Sequence, residues 1–236
     1  MLGELARQAA KMAQLAFGGS CFLCRGAAEG PLCRACDADL PRLPPLLCPR
    51  CALDSSAGEV CGRCLARPPA FDATIAALAY EFPADVLVQA LKFRGELALA
   101  PLLAGLLAAR LPRGDRVDFL LPVPLSAARL RARGFNQSLE IARHVAAAAG
   151  ARLAPQLAER GRDTPPQAEL AFGERAGNVR GAFRCPQALE GAAVAVLDDV
   201  MTTGATLEEL AATLKRAGAS RVVNWVVART APPADA

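Results

Sequence analysis

A chain of 236 residues that is 53% hydrophobic and 21% charged has enough apolar material to bury a sizeable core, which excludes wholesale disorder. Aromatic residues are only 5% of the total, so that core has to be built from Ala, Leu and Val. The formal net charge of +4 suits phosphate ligands and nucleic acid alike and selects neither.

Leu2, Leu5, Met12 and Leu15 predict a short amphipathic helix over residues 1–20, packed against the rest of the protein. Glu4, Arg7, Gln8, Lys11 and Gln14 interrupt any apolar stretch there, so a cleaved leader is not expected. The longest uncharged apolar run, 97–109, contains Pro101 and is too short for a bilayer, so no membrane insertion is expected and the cytoplasm is the default location.

Eight of the nine cysteines then fall in four Cys-x-x-Cys pairs: Cys21/Cys24, Cys33/Cys36, Cys48/Cys51 and Cys61/Cys64. Such a pair puts two thiolates on one tight turn, spread for adjacent corners of a tetrahedral zinc site, and two pairs close the tetrahedron. Residues 21–66 therefore read as a double zinc ribbon with two structural zinc ions. Sequential pairing is favoured, Cys21, Cys24, Cys33 and Cys36 for one ion and Cys48, Cys51, Cys61 and Cys64 for the other; an interleaved cross-brace has compatible spacing. A redox system is the competing reading of the same pairs. A Cys₄ site has no open coordination position, so the metal would replace a core that so short a segment cannot build. Arg25, Arg34, Arg42, Arg50, Arg63 and Arg67 give the ribbons a basic surface, equally suited to nucleic acid and to plain solvation. Cys185 has no partner pattern and reads as a small hydrophobe.

A Pro-rich linker, 67–73, leads into a second domain over 74–230. There the pattern predicts a strand over 74–82, a helix over 85–93, a longer helix over 96–111 started or kinked near Pro101, and a buried strand over 117–123. A helix over 136–149, a weak strand over 152–157, a polar flexible stretch over 159–167, a strand over 192–197, a helix over 206–217 and a strand over 221–228 complete it. Alternation of strand and helix argues an α/β fold with a parallel sheet and right-handed crossovers. The tail, 231–236, is expected to be disordered.

Four segments carry the candidate chemistry. In VAVLDDVMTTGATLEEL an apolar strand runs into Asp198 and Asp199, expected where the strand ends. Thr202, Thr203, Gly204, Ala205 and Thr206 then lead into a helix N-terminus, whose unpaired N–H groups and dipole favour phosphate. In PVPLSAARLRARGFNQS, Ser126, Arg129, Arg131, Arg133 and Gly134 make a basic loop suited to a diphosphate. LKFRGE, with Lys92, Arg94 and Gly95, is a weaker basic element. Arg160, Arg162, Gln167, Arg175, Asn178 and Arg180 lie between the weak strand and the strand of the acidic pair.

The segment from Val194 to Thr206 resembles the phosphoribosyl pyrophosphate (PRPP) signature of type I phosphoribosyltransferases. The resemblance implies ribose contacts for Asp198 and Asp199, which are also the implied catalytic residues, and a 5-phosphate loop at Thr202, Thr203, Gly204, Ala205 and Thr206. It further implies a pyrophosphate loop at Ser126, Arg129, Arg131, Arg133 and Gly134, Mg²⁺ bound with PRPP, and a loop from the 160–180 region that closes over the site. The whole constellation of double zinc ribbon, LKFRGE, VPLSAARLRARGFNQS, DTPPQAEL, ERAGNVRGAF and LDDVMTTGATLEE resembles the ComF family over about residues 21–230. That resemblance implies a PRPP-binding protein associated with DNA uptake in natural transformation, with single-stranded DNA and other DNA-uptake proteins as partners. The alternative is an active phosphoribosyltransferase of nucleotide metabolism whose acceptor is not identified; Tyr80 and Phe82 are its only candidate base-stacking residues.

Overall fold

The computed structural model describes residues 18–55, 57–112, 114–161 and 179–232. The expected N-terminal helix, most of the tail, and Arg162, Gln167, Arg175 and Asn178 lie outside the described residues.

Seven short or medium strands and seven helices are described. The helices are α1 (Arg34–Ala38), α2 (Gly62–Ala66), α3 (Ala84–Arg94), α4 (Ala100–Ala108), α5 (Ala127–Arg133), α6 (Gln137–Ala149) and α7 (Ala205–Arg216). The strands are β1 (Ala73–Ala79), β2 (Phe119–Pro122), β3 (Arg152–Leu153), β4 (Glu159–Arg160), β5 (Phe183–Arg184), β6 (Ala193–Met201) and β7 (Arg221–Arg229). Five strands form one parallel sheet in the order β1-β7-β6-β2-β3, and β4 and β5 pair separately as an antiparallel ribbon. This is the expected class, a parallel sheet flanked by helices with a zinc-ribbon region ahead of it.

Both sheet faces are covered, which is why β6 and β7 read as nearly continuous apolar runs rather than alternating ones. On one face Leu87 and Leu91 of α3, Leu103 and Leu107 of α4 and Ile141 and Val145 of α6 pack over Leu78, Leu120, Leu197 and Trp225. On the other, Leu207, Leu210 and Leu214 of α7 pack over Leu121, Val194, Val196 and Val226. Each fully buried Leu contributes on the order of 2 kcal/mol of transfer free energy.

The cysteine-rich segment straddles the β1 edge of this sheet. Residues 41–43 run antiparallel to β1: Leu43 N donates to Ala77 O at 3.2 Å and Ala79 N to Pro41 O at 2.8 Å. Further along, Thr74 N donates to Pro49 O at 2.9 Å. Proline suits such an edge because it lacks an N–H but still accepts, and the covered edge is closed to pairing with other chains. Phe22 and Leu40, from the first ribbon, join the apolar layer under α3 and α4. Ala52, from the second, joins the layer under α7, with Leu43 and Leu47 packed against it.

Three elements depart from the sequence expectation. Strand β6 does not stop at the aspartates. It pairs with β7 through Asp198↔Val226, Val200↔Ala228 and Met201↔Arg229, because β7 itself runs to Arg229 and offers a partner that far. The basic segment after β2 is not an open loop but the helix α5. Ser126 is its N-cap, accepting from Arg129 N at 3.4 Å, and Gly134 closes it in the left-handed conformation. The expected strand over 152–157 shortens to β3 plus a 3₁₀ turn at Pro155–Leu157.

Candidate functional site

The acidic pair sits near the carboxyl end of the central strand β6, where ligands gather in open α/β sheets. Asp199 is 3% exposed. Its Oδ2 lies 3.0 Å from Lys92 Nζ, at the end of α3. Asp198 Oδ1 accepts from Ser138 Oγ at 3.1 Å and from Asp199 N at 2.9 Å. Ser138 is held by its helix start: Asn136 caps α6, its Oδ1 accepting from Ser138 N and Leu139 N while its Nδ2 donates to Val123 O at 3.0 Å.

The surroundings shift the two carboxyl groups in opposite directions. Burial and the neighbouring charge of Asp199 push Asp198 up, to about 8. Burial, the largest single influence, would also raise Asp199, but the Lys92 ammonium together with hydrogen bonds from Asp198, Lys92 and Gln137 outweighs it and holds Asp199 below the ordinary carboxylate range. Lys92 is raised in turn, chiefly by Asp199 against its own burial.

Downstream, Thr202, Thr203 and Gly204 form the turn into α7. Gly204 has φ +84°, a left-handed conformation that favours glycine; a Cβ there would meet only Met201 Cε, the mobile end of a side chain, at 2.7 Å. Thr203 Oγ1 accepts from Ala205 N at 3.2 Å. Ala205 opens α7, whose first turn also contains Thr206, so N–H groups of a twelve-residue helix face this turn.

Beside the acidic pair lies a cleft of 460 Å³ lined by Lys92, Phe93, Arg94, Arg129, Arg133 and Phe135, with Gly95 and Ala132 filling the gaps. Helix geometry sorts the three arginines. Arg129 and Arg133, four residues apart, share one face of α5 and line the cleft, whereas Arg131 is exposed and absent from its lining. Arg133 Nη1 donates to Gln137 Oε1 at 2.5 Å, and its guanidinium lies 5.5 Å from the Phe93 ring centroid. Burial and the nearby Arg129 charge pull Arg133 below its ordinary value while the two aspartates oppose that shift. Sequence reasoning left Lys92 at the margin and missed Gln137 and Ser138. Their only local signal was position, in LKFRGE and just behind RGFN.

The cysteines form two groups, Cys21, Cys24, Cys33 and Cys36, and Cys48, Cys51, Cys61 and Cys64, with the sulfur atoms of each group within 4.8 Å of one another. The grouping is sequential. A Zn–S bond of about 2.3 Å sets a tetrahedral S···S edge of about 3.8 Å. Cys24 Sγ and Cys33 Sγ are 3.7 Å apart and Cys51 Sγ and Cys61 Sγ 3.6 Å, so both groups fit a zinc ion and neither pair is a disulfide. The two sites repeat one design. Arg25 N and Ala52 N return to Cys21 O and Cys48 O at 2.9 Å each, and both residues take the left-handed conformation, with φ +64° and +52°. Cys33 and Cys61 each precede a five-residue helix. Of the ribbon arginines, Arg25, Arg34, Arg42, Arg63 and Arg67 are exposed and Arg50 half-buried; Arg42 is ion-paired with Asp37 at 2.9 Å.

No helix among the described residues is long and apolar enough to cross a membrane. A family profile described as Double zinc ribbon domain matches residues 12–65. The DNA utilization protein YhgH of Salmonella typhimurium is 36% identical over 222 residues, covering 90% of this chain and 97% of that protein. Its counterpart in Escherichia coli K12 is 34% identical with the same coverage, 90% and 97%. Competence protein F of Haemophilus influenzae is 27% identical over 226 residues, 90% of this chain and 98% of that protein. Among solved structures, the allosteric regulatory enzyme of purine biosynthesis overlaps 53% of this chain and 24% of its own, at 20% identity and a TM-score of 0.35. Leishmania donovani UMP synthase overlaps 61% and 29%, at 17% identity and a TM-score of 0.35. With its double zinc ribbon, its helix-flanked parallel sheet and its near end-to-end likeness to YhgH and competence protein F, the chain belongs to the ComF family.

Proposed function

We propose that this protein binds PRPP, together with Mg²⁺, at the carboxyl end of β6, and that it does so in the cytoplasm in the service of DNA uptake. One observation carries the reading. The Lys92–Asp199 ion pair joins the acidic pair to the cationic cleft, so an acid site for ribose hydroxyls and a basic site for diphosphate share one mouth. The phosphate turn at Thr202, Thr203, Gly204, Ala205 and Thr206 completes the set on the other side of the acids.

In this reading Asp198 and Asp199 accept from the ribose hydroxyls, and the turn ahead of α7 donates to the 5-phosphate. Arg129 and Arg133 take the diphosphate with charge-assisted bonds. Lys92 neutralises Asp199 before the ligand arrives and turns toward the diphosphate when it does. The oxygen donors of Asp198, Asp199 and Ser138 suit a hard cation. Mg²⁺, when bound, supplies charge neutralisation to the diphosphate. Ser126 and Gly134 shape α5, and Arg131 faces solvent. The names of the relatives, DNA utilization protein and competence protein F, support the DNA-uptake context, with single-stranded DNA and other uptake proteins as its partners.

A second reading, ribosyl transfer to an acceptor, is favoured by Phe93. Its ring is 69% exposed on the wall of the cleft and offers a stacking surface that Tyr80 and Phe82 do not place there. Calorimetry with PRPP and Mg²⁺, followed by pyrophosphate release over a panel of nucleobases, tests both. Saturable binding is expected for the wild type and loss of it for Asp199→Asn. Absence of binding by the wild type overturns the proposal, and binding without pyrophosphate release from any acceptor removes the enzymatic reading.

A further inference from the structure

Arg229 is the last residue of β7 and is 4% exposed, a fully engulfed guanidinium. Its Nε donates to Cys51 O at 2.9 Å. Its Nη1 donates to Met201 O at 2.9 Å, to Thr202 O, and to Thr230 O at 2.7 Å. One side chain thus ties the backbone of a zinc ligand to the carbonyl just before the phosphate turn and to the first carbonyl within it. We propose that Arg229 is a positioning residue that makes the second zinc ribbon part of the phosphate turn, so that occupancy of the second Cys₄ site sets the turn's affinity for a phosphate group. The proposal rests on the PRPP reading for the ligand and on the hydrogen bonds of Arg229, with the zinc centre's counter-charge, for the coupling.

The physical path is short. A trans peptide is planar, with its C=O and N–H on opposite sides. Holding Met201 O and Thr202 O against the guanidinium turns the N–H groups of Thr202 and Thr203 away from it. Those donors belong to the segment assigned to phosphate. At the other end, the position of Cys51 O is set by the knuckle, in which Ala52 N returns to Cys48 O at 2.9 Å and Ala52 takes φ +52°. Zinc bonded to Cys48 and Cys51 fixes that turn, and a tetrathiolate zinc centre is dianionic, a counter-charge for a buried cation. Without metal the knuckle loses its cross-link, and Arg229 loses a fixed acceptor and a counter-charge together. The first ribbon reaches the site differently: Arg94, in the cleft lining, lies 5.5 Å from the centroid of Phe22. Coupling to the phosphate turn is therefore assigned to the second zinc and not to the first.

Coupling free energies are reciprocal, so the ligand must act on the zinc as the zinc acts on the ligand. The test uses the full chain loaded with two zinc ions and follows metal transfer to a chromogenic chelator, with and without saturating PRPP and Mg²⁺. Two release phases are expected, the second site being assigned as the phase that survives in Cys24→Ser. PRPP should slow that phase at least fivefold and leave the other within twofold. Arg229→Lys, which keeps the charge but not the fork of donors, should retain both zinc ions and lose the slowing. Equal slowing of both phases, no slowing while calorimetry shows PRPP bound, or slowing that persists in Arg229→Lys overturns the coupling. If the wild type binds no PRPP, the functional reading falls and the coupling is decided by amide exchange alone. Arg229→Lys, and Cys61→Ser where it folds, should then exchange residues 202–206 at least tenfold faster than the wild type. Unchanged exchange in zinc-replete Arg229→Lys overturns the proposal.

Discussion

The two zinc ribbons share a knuckle, a ligand spacing and a short helix, yet they serve the domain behind them in different ways. The first enters the layer beneath α3 and α4 through Phe22, whose ring also meets Arg25 at 5.7 Å and Arg94 at 5.5 Å. It abuts the cationic cleft, the part of the site made from side-chain charge. The second enters the layer beneath α7 through Ala52 and reaches the turn of Thr202, Thr203 and Gly204 through Arg229. It abuts the part of the site made from backbone. The burial of the ligands follows the same division, with Cys48, Cys51 and Cys64 buried but only Cys21 buried in the first group. The first ribbon is thus attached by apolar packing and the second by apolar packing together with directed hydrogen bonds.

The comparison can be broken most forcefully at the metals. Cys64→Ser is expected to abolish the cooperative thermal transition or lower the Tm by more than about 10 °C, whereas Cys24→Ser lowers it by only a few degrees. Differential scanning calorimetry with zinc analysis of each variant measures this, and equal losses would remove the distinction between the ribbons. Next in size is Phe22→Ala, which empties a site that is 6% exposed and is expected to cost about 3 kcal/mol in denaturant unfolding while both zinc ions remain bound. If the first zinc leaves with the ring, the ribbon is held by its own core rather than by the sheet.

Within the cleft, Arg133→Ala should weaken pyrophosphate binding roughly tenfold, about 1.4 kcal/mol, and Arg131→Ala less than twofold. Calorimetry at two salt concentrations checks both, since the charge-made cleft should lose affinity with salt faster than the backbone-made turn. The smallest effect expected is on pH. Because Asp198 is raised to about 8, its ionisation above neutral pH would turn it from a carboxyl with one free acceptor oxygen into a stronger, charged acceptor for the ribose hydroxyls. PRPP affinity should therefore climb as pH rises from 7 and level off above about 8, with Asp198→Asn removing the climb. The same shift has the opposite sign for folding. Stability from the protonated carboxyl is fully present below the ordinary Asp pKa and is lost as pH rises through about 8. A flat affinity profile in the wild type would mean that both carboxylates are already ionised.

Much of this molecule was legible in the chain because its strongest signals are local. Cys-x-x-Cys fixes two thiols on one turn whatever surrounds it, and four such pairs announce two sites. The apolar run before Asp198 and the Thr/Gly turn after it identify a strand, a turn and a helix start from adjacent residues alone. The misreadings lie where a distant partner decides. Strand β6 outruns its apolar run because β7 continues beside it to Arg229. The arginines after β2 alternate in sequence, but in a helix alternate residues diverge, so only Arg129 and Arg133 reach the cleft. Lys92 became a partner of Asp199 because α3 ends above β6, a meeting across more than a hundred residues.

By itself, then, the sequence determined the paired zinc-ligand cysteines, the α/β class and the strand, turn and helix start around Asp198 and Asp199, since each is written in contiguous residues with fixed backbone consequences. Only the tertiary structure decided the sequential grouping of the zinc ligands, the choice between arginines, the place of Lys92, and the attachment of each ribbon to its own half of the site. Those are meetings between segments far apart in the chain. They follow from how two covered sheet faces and one protected edge bring side chains together, which no local pattern encodes.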